Sequence, residues 1–217
     1  MQFLLRNRYL IFLILLLSLI MVTSFIPDET SASWYATFNY SLLLLAGLNA
    51  FRDVKNFLRF TTLFFLIAIT VDWFELFYPE LSKLIILRAL LSATVLSLLL
   101  IMTLESIQRA RKISRDVIFG ALCGYILIGY IGTYMAMAVS LIYPGSYNVE
   151  GELQVLEAAY FSFVTMTTLG YGEILPLSEP ARAVTMLLSI LGPMYVAILV
   201  AMIVGKYASI TESFTKH

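Results

Sequence analysis

The stretch Thr165-Met166-Thr167-Thr168-Leu169-Gly170-Tyr171-Gly172-Glu173 has the residue types and spacing that could do chemistry here. Gly170 and Gly172 lack a Cβ and reach backbone dihedrals that other residues adopt only under strain, so a loop built on them can aim successive carbonyl oxygens at one axis. Other chemistries find little material. The single histidine, His217, is at the extreme tail, and neither a Gly-x-Ser-x-Gly turn nor a phosphate-cradling loop occurs. Cys123 stands alone in an apolar run and reads as a small buried hydrophobe, which excludes a disulfide framework or a cysteine metal site. No catalytic residue is assigned, and an enzyme is not expected.

The elements that must position this loop are written in the composition. Of 217 residues, 60% are hydrophobic and 13% charged, the balance of a membrane protein. With 14 basic and 14 acidic side chains the net charge is zero, and no pull toward nucleic acid is implied. Apolar stretches long enough to cross a bilayer run roughly over Tyr9 to Ile26, Trp34 to Phe51, Phe57 to Tyr78, Leu81 to Leu104, Val117 to Tyr143 and Ala181 to Tyr207. A shorter segment, Val155 to Met166, cannot span as a helix. It reads as a re-entrant element, tolerated at membrane depth only when surrounded by protein or lining a water-filled cavity. The expected fold class is an all-α membrane protein of six transmembrane helices plus a re-entrant helix and loop. Arg6 and Arg8 precede the first span, but its apolar run exceeds a signal-peptide core and no small-residue cleavage pattern follows, so it reads as a retained anchor.

Positive charge fixes the expected orientation. With both termini inside, Arg6, Arg8, Arg52, Lys55, Arg59, Arg109, Arg111, Lys112, Arg115, Lys206 and Lys216 share the inner face, eleven of the fourteen. Lys83 and Arg182 fall outside and Arg88 lies within the fourth span. Asp28, Glu29, Glu80, Glu150 and Glu152 cluster in the outer loops, and Trp34, Trp73 and Tyr78 fall near outer span ends, as an aromatic belt requires.

On these residues the chain resembles the potassium channels, whose signature is usually Thr-Val-Gly-Tyr-Gly; Thr168-Leu169-Gly170-Tyr171-Gly172 differs by leucine for valine. The resemblance implies a selectivity filter over Thr167 to Glu173, with K+ as permeant ion held by carbonyls of Thr168, Leu169, Gly170 and Tyr171 and by the Thr168 hydroxyl. It implies a homotetramer, three further copies completing one pore, and no organic cofactor. Tyr171 is expected to brace the loop. The preceding segment, Ala158 to Val164, would be a pore helix aiming its negative dipole end at the central cavity. Glu173 takes the place of the family's usual aspartate. The pore-helix acid that pairs with that carboxylate in some members is replaced by Val164. Glu150, Glu152 and Glu157 read mainly as solvated loop acids near the mouth.

Gly192-Pro193 interrupts the last span, where proline removes a backbone donor and forces a kink; by resemblance this is a gate hinge. The first half, residues 1–104, resembles a voltage-sensing four-helix domain that has lost its charges, since steps of three from Arg88 reach Ile85, Leu91 and Thr94. Steep voltage gating needs about three to four charges per subunit. Arg88 is therefore expected in a structural ion pair with Asp72 or Glu75, or snorkelling outward, and voltage dependence is expected to be weak or absent. Residues 105–116 suit an interfacial linker helix in which Arg109 to Arg115 meet anionic lipid. Residues 117–207 form the pore domain and 208–217 a short cytoplasmic tail without room for a ligand-sensing domain. The expected setting is the plasma (cell inner) membrane of a prokaryote. A nonselective cation channel and a modulatory subunit of a heteromeric channel remain open alternatives.

Overall fold

A computed structural model describes residues 7–50, 55–78, 83–110 and 114–215. It contains seven helices among the described residues: α1 (Arg8–Ser24), α2 (Glu29–Ala50), α3 (Lys55–Phe77), α4 (Lys83–Arg109), α5 (Arg115–Ile142), α6 (Val155–Met166) and α7 (Glu179–Thr215). Each expected span coincides with a helix, and α6 has the bounds expected of the re-entrant segment. Of these, Ile85–Arg109, Arg115–Ile142 and Glu179–Met202 are long and apolar enough to cross a membrane by length and composition. The protein is an all-helical membrane protein. Among the described residues β structure is limited to one bridge, between Tyr147 and Pro176. The expected span ends Phe51 and Leu81 and the orientation charges Arg6, Arg52, Glu80, Arg111, Lys112 and Lys216 lie outside the described residues.

Helix boundaries follow local chemistry. α1 stops before Pro27, which disfavours helical dihedrals in the residue before it. Asp28 then caps α2: the Ser31 N–H donates to Asp28 Oδ2 at 2.8 Å, and hydrogen bonds from Ser31 hold the Asp28 carboxyl below its usual range. At the start of α6 the Gln154 N–H donates to Glu157 Oε2 at 3.0 Å, so Glu157 is a helix cap rather than a free loop acid. Ser178 caps α7, its hydroxyl accepting from the Ala181 N–H at 3.3 Å.

The first four helices, α5 and α6 share one core. Phe12 and Leu16 of α1, Leu43 and Leu44 of α2, Leu96 and Leu99 of α4 and Leu127 of α5 are fully buried in a single cluster. The Tyr130 hydroxyl on α5 donates to the Leu16 carbonyl on α1 at 2.6 Å, and Cys123 is buried with its thiol facing the Tyr9 carbonyl at 3.7 Å. Small residues on α5 admit the two helices that carry the loop. A Cβ on Gly129 would lie 2.3 Å from the Phe163 ring of α6, and one on Gly132 would lie 2.4 Å from both Ser162 Oγ and Leu188 of α7. The close approach is fastened by a bond from Ser162 Oγ to the Gly129 carbonyl, 2.7 Å long.

Arg88 is paired with both of its expected partners. Its Nε lies 2.7 Å from Asp72 Oδ1 and its Nη1 2.8 Å from Glu75 Oε1, with the Asp72 side chain only 4% exposed. Nearby, Trp34 packs edge-on against Trp73 and Phe77, and the Trp73 indole donates to Ser41 Oγ at 3.0 Å. The expected linker helix is not continuous over the described residues: α4 carries residues 105–109 and α5 begins at Arg115, while residues 111–113 lie outside the described set.

Candidate functional site

α6 ends at Met166, and the loop that follows folds back on the helix's last carbonyls. The Phe163 carbonyl accepts from the Thr167 N–H at 3.1 Å, and that of Thr165 from the Thr168 N–H at 3.0 Å. The Val164 carbonyl accepts from both Leu169 and Gly170, at 3.1 and 3.2 Å. These bonds satisfy acceptors that a helix end otherwise leaves bare. They also orient the loop. In a planar trans peptide the N–H of one residue and the C=O of the residue before it point in opposite directions. N–H groups of 168, 169 and 170 turned toward α6 therefore send the carbonyls of Thr167, Thr168 and Leu169 away from it.

The dihedrals complete the pattern. Thr168, Gly170 and Gly172 have φ of 61°, 57° and 90°, so every second residue of the loop is in the left-handed region. Extended chain points successive carbonyls to alternate sides; a left-handed residue at every second position removes that alternation. Thr168 is the only non-glycine residue with positive φ among the described residues, and a β-branched side chain in that region is strained by about 1–3 kcal/mol. The helix-end hydrogen bonds hold it there.

Two supports flank the loop. On the α6 side, the Tyr160 and Tyr171 rings stack at 6.5 Å with 5° between their planes, and the Tyr160 phenol lies close to the Glu173 carboxylate. Tyr171 is 68% exposed in the single chain apart from this stack. On the far side Asn148 grips the segment after the loop. Its Nδ2 donates to the Glu173 carbonyl at 2.9 Å, its Oδ1 accepts from the Leu175 N–H, and its own N–H donates to the Leu175 carbonyl at 3.3 Å. The Ser146 carbonyl accepts from the Leu177 N–H at 2.8 Å, and the Ser146 Oγ accepts from the Ser178 hydroxyl at 2.8 Å. Sequence reasoning missed Asn148 and Ser146. Their signal was only a polar, turn-forming loop, and the separation of 25 positions from Asn148 to Glu173 is bridged by the fold alone.

Gly192 touches the site rather than standing apart from it. A Cβ there would come within 2.0 Å of the Met166 carbonyl oxygen, so the backbone of α7 lies directly against the C-terminus of α6. α7 continues as helix through Pro193, which cannot donate to the Ser189 carbonyl one turn earlier. One turn beyond Gly192, the Tyr195 hydroxyl donates to the Ala121 carbonyl on α5 at 2.8 Å. Gly192 and Pro193 are thus adjacent in sequence with separate surroundings: one meets the end of α6, the other is exposed. A cavity of about 450 Å³ opens beside the loop between Val164, Thr168, Gly172, Thr185 and Ser189.

Comparisons with known proteins bear on this half of the chain. Residues 120–208 match a family model described as "Ion channel", from α5 into α7 and across the whole loop. A "Two pore potassium channel b" of Oryza sativa subsp. japonica is 38% identical over 63 residues, which is 28% of this chain and 16% of that relative's length. No solved structure matches significantly. The two matches together support a potassium channel family.

Proposed function

We propose, from the premise that residues 120–208 belong to an ion channel family with a potassium channel among its relatives, that the chain is one subunit of a potassium-selective channel. Residues Thr167 to Glu173 line its filter. The observation that carries the reading is the left-handed backbone at Thr168, Gly170 and Gly172 together with N–H groups turned into α6. That arrangement suits a column of carbonyl oxygens replacing the water shell of a dehydrated K+ ion. Carbonyls of Thr168, Leu169, Gly170 and Tyr171 and the Thr168 hydroxyl form the ion sites.

Four copies enclose the pore. In support, the isolated chain leaves Leu169 56% exposed and presents Met186, Ile190, Met194 and Ile198 along an uncovered stripe of α7. A loop with its carbonyls aimed outward from α6 makes one wall only. Six spans cross the membrane with both termini inside, and Gly192-Pro193 serves as the gate hinge. Voltage dependence is weak because Arg88 is held by Asp72 and Glu75.

Purified protein reconstituted alone in liposomes tests the reading by comparing K+ and Na+ flux. Potassium flux well above sodium flux is expected. Equal fluxes would make the pore nonselective, and no flux in either cation would make the chain a modulatory subunit.

A further inference from the structure

A second cavity, of about 610 Å³, opens at the end of the bundle where α1 and α3 finish and α2, α4 and α6 begin. It is separate from the opening beside the loop. Asp72, Glu75 and Arg88 form one wall, Trp34 and Tyr40 another, and the first turns of α6, with Leu156 and Ala159, a third. Its size falls within the range of small-molecule sites, which are typically about 300–1,000 Å³.

The wall chemistry selects the occupant. Two carboxylates share one guanidinium, so the charged group sums to −1. Glu75 gives Oε1 to Arg88, while its Oε2 is buried with no protein hydrogen-bond partner. The Tyr40 hydroxyl is in the same state, on a side chain only 3% exposed. Both atoms are closed to water as they stand, so a cation with N–H donors reaches them with a turn of either side chain, satisfying them while neutralising the excess charge. The neighbouring indole and phenol rings favour a cation with an apolar body. An anion would face two carboxylates. A bare metal ion would compete with the Arg88 guanidinium already seated on both carboxylates, and no group of three metal-binding side chains occurs among the described residues.

We propose that this cavity binds a small organic ammonium ion carrying an aromatic or apolar body, with Glu75 as its charge partner and Tyr40 as its second acceptor. The ligand rests against Leu156 and Ala159, the residues of α6 on either side of Glu157 and Ala158. The next residue, Tyr160, stacks on Tyr171. Occupancy therefore bears on the helix that carries the loop.

Titration calorimetry of the full chain in detergent micelles, with phenethylammonium and its uncharged analogue 2-phenylethanol as probes, tests this independently of conduction. Saturable binding of the ammonium, one per chain, is expected, with the alcohol at least tenfold weaker. Glu75→Gln should weaken the ammonium at least tenfold and Tyr40→Phe severalfold, while Glu179→Gln, at the exposed start of α7, leaves it unchanged. Leu156→Trp, which fills the cavity without changing its charge, should also abolish binding and covers the case in which Glu75→Gln does not fold. Equal affinity for the alcohol, unchanged affinity in Leu156→Trp, absence of saturable binding, or loss through Glu173→Gln instead of Glu75→Gln would each overturn the proposal.

Discussion

Gly192 shows how a residue chosen for one reason proves to be constrained by another. The sequence suggests a hinge beside Pro193, whereas its missing side chain makes room for the Met166 carbonyl at the end of α6. A backbone atom cannot swing aside as a side-chain tip can, so Gly192→Ala must push α7 or α6 away. We expect this substitution to reduce potassium flux at least tenfold and to lower discrimination against sodium in liposomes. Pro193→Ala should keep the selectivity and change only open probability in single-channel records. Wild-type selectivity in Gly192→Ala would remove the contact from the account and leave the hinge alone. Asn148 gives a second test at this scale. Replacing it with alanine strips two side-chain hydrogen bonds from the Glu173 to Leu175 segment, leaving the backbone bond to Leu175, at a cost of about 1–2 kcal/mol. A lower melting temperature and a reduced K+ to Na+ flux ratio should accompany Asn148→Ala, and an unchanged ratio would confine Asn148 to stability.

At the scale of elements, apolar length located every helix and gave α6 its bounds, because a 12-residue apolar run between polar loops has few alternatives. Glycine spacing likewise marked the loop, since positive φ at 170 and 172 needs residues without Cβ. What stayed hidden was contact across the chain. Nothing local to Thr168 announces a left-handed β-branched residue, and nothing local to Ser146 or Gly129 names Ser178 or Ser162 as partner. Charge pairing was intermediate: Asp72 and Glu75 sit one helical turn apart on α3, so Arg88 could be assigned to either, and the structure gives it both. This double pairing restrains α4. With one arginine pinned by two carboxylates, the conductance-voltage relation should be nearly flat between strongly negative and positive potentials. Arg88→Met should cost about 3–5 kcal/mol of stability by leaving buried carboxylates unpaired, without revealing any steepness. A steep relation that disappears with Arg88 would contradict the assignment.

For the whole molecule, the exposed loop and the bare stripe of α7 call for neighbours, and light scattering corrected for detergent should return four chains per particle. A stable dimer retaining full flux would refute the fourfold arrangement. The other consequence comes from the shared core. α5 buries Leu127, Tyr130 and Cys123 against α1 and α4, both of which precede it in the chain. During synthesis those partners have left the ribosome before α5 emerges, so the amino-terminal helices can serve as a template on which the pore half docks in order of translation. On the proposed reading, the first half acts as a folding scaffold for the second rather than as a moving sensor.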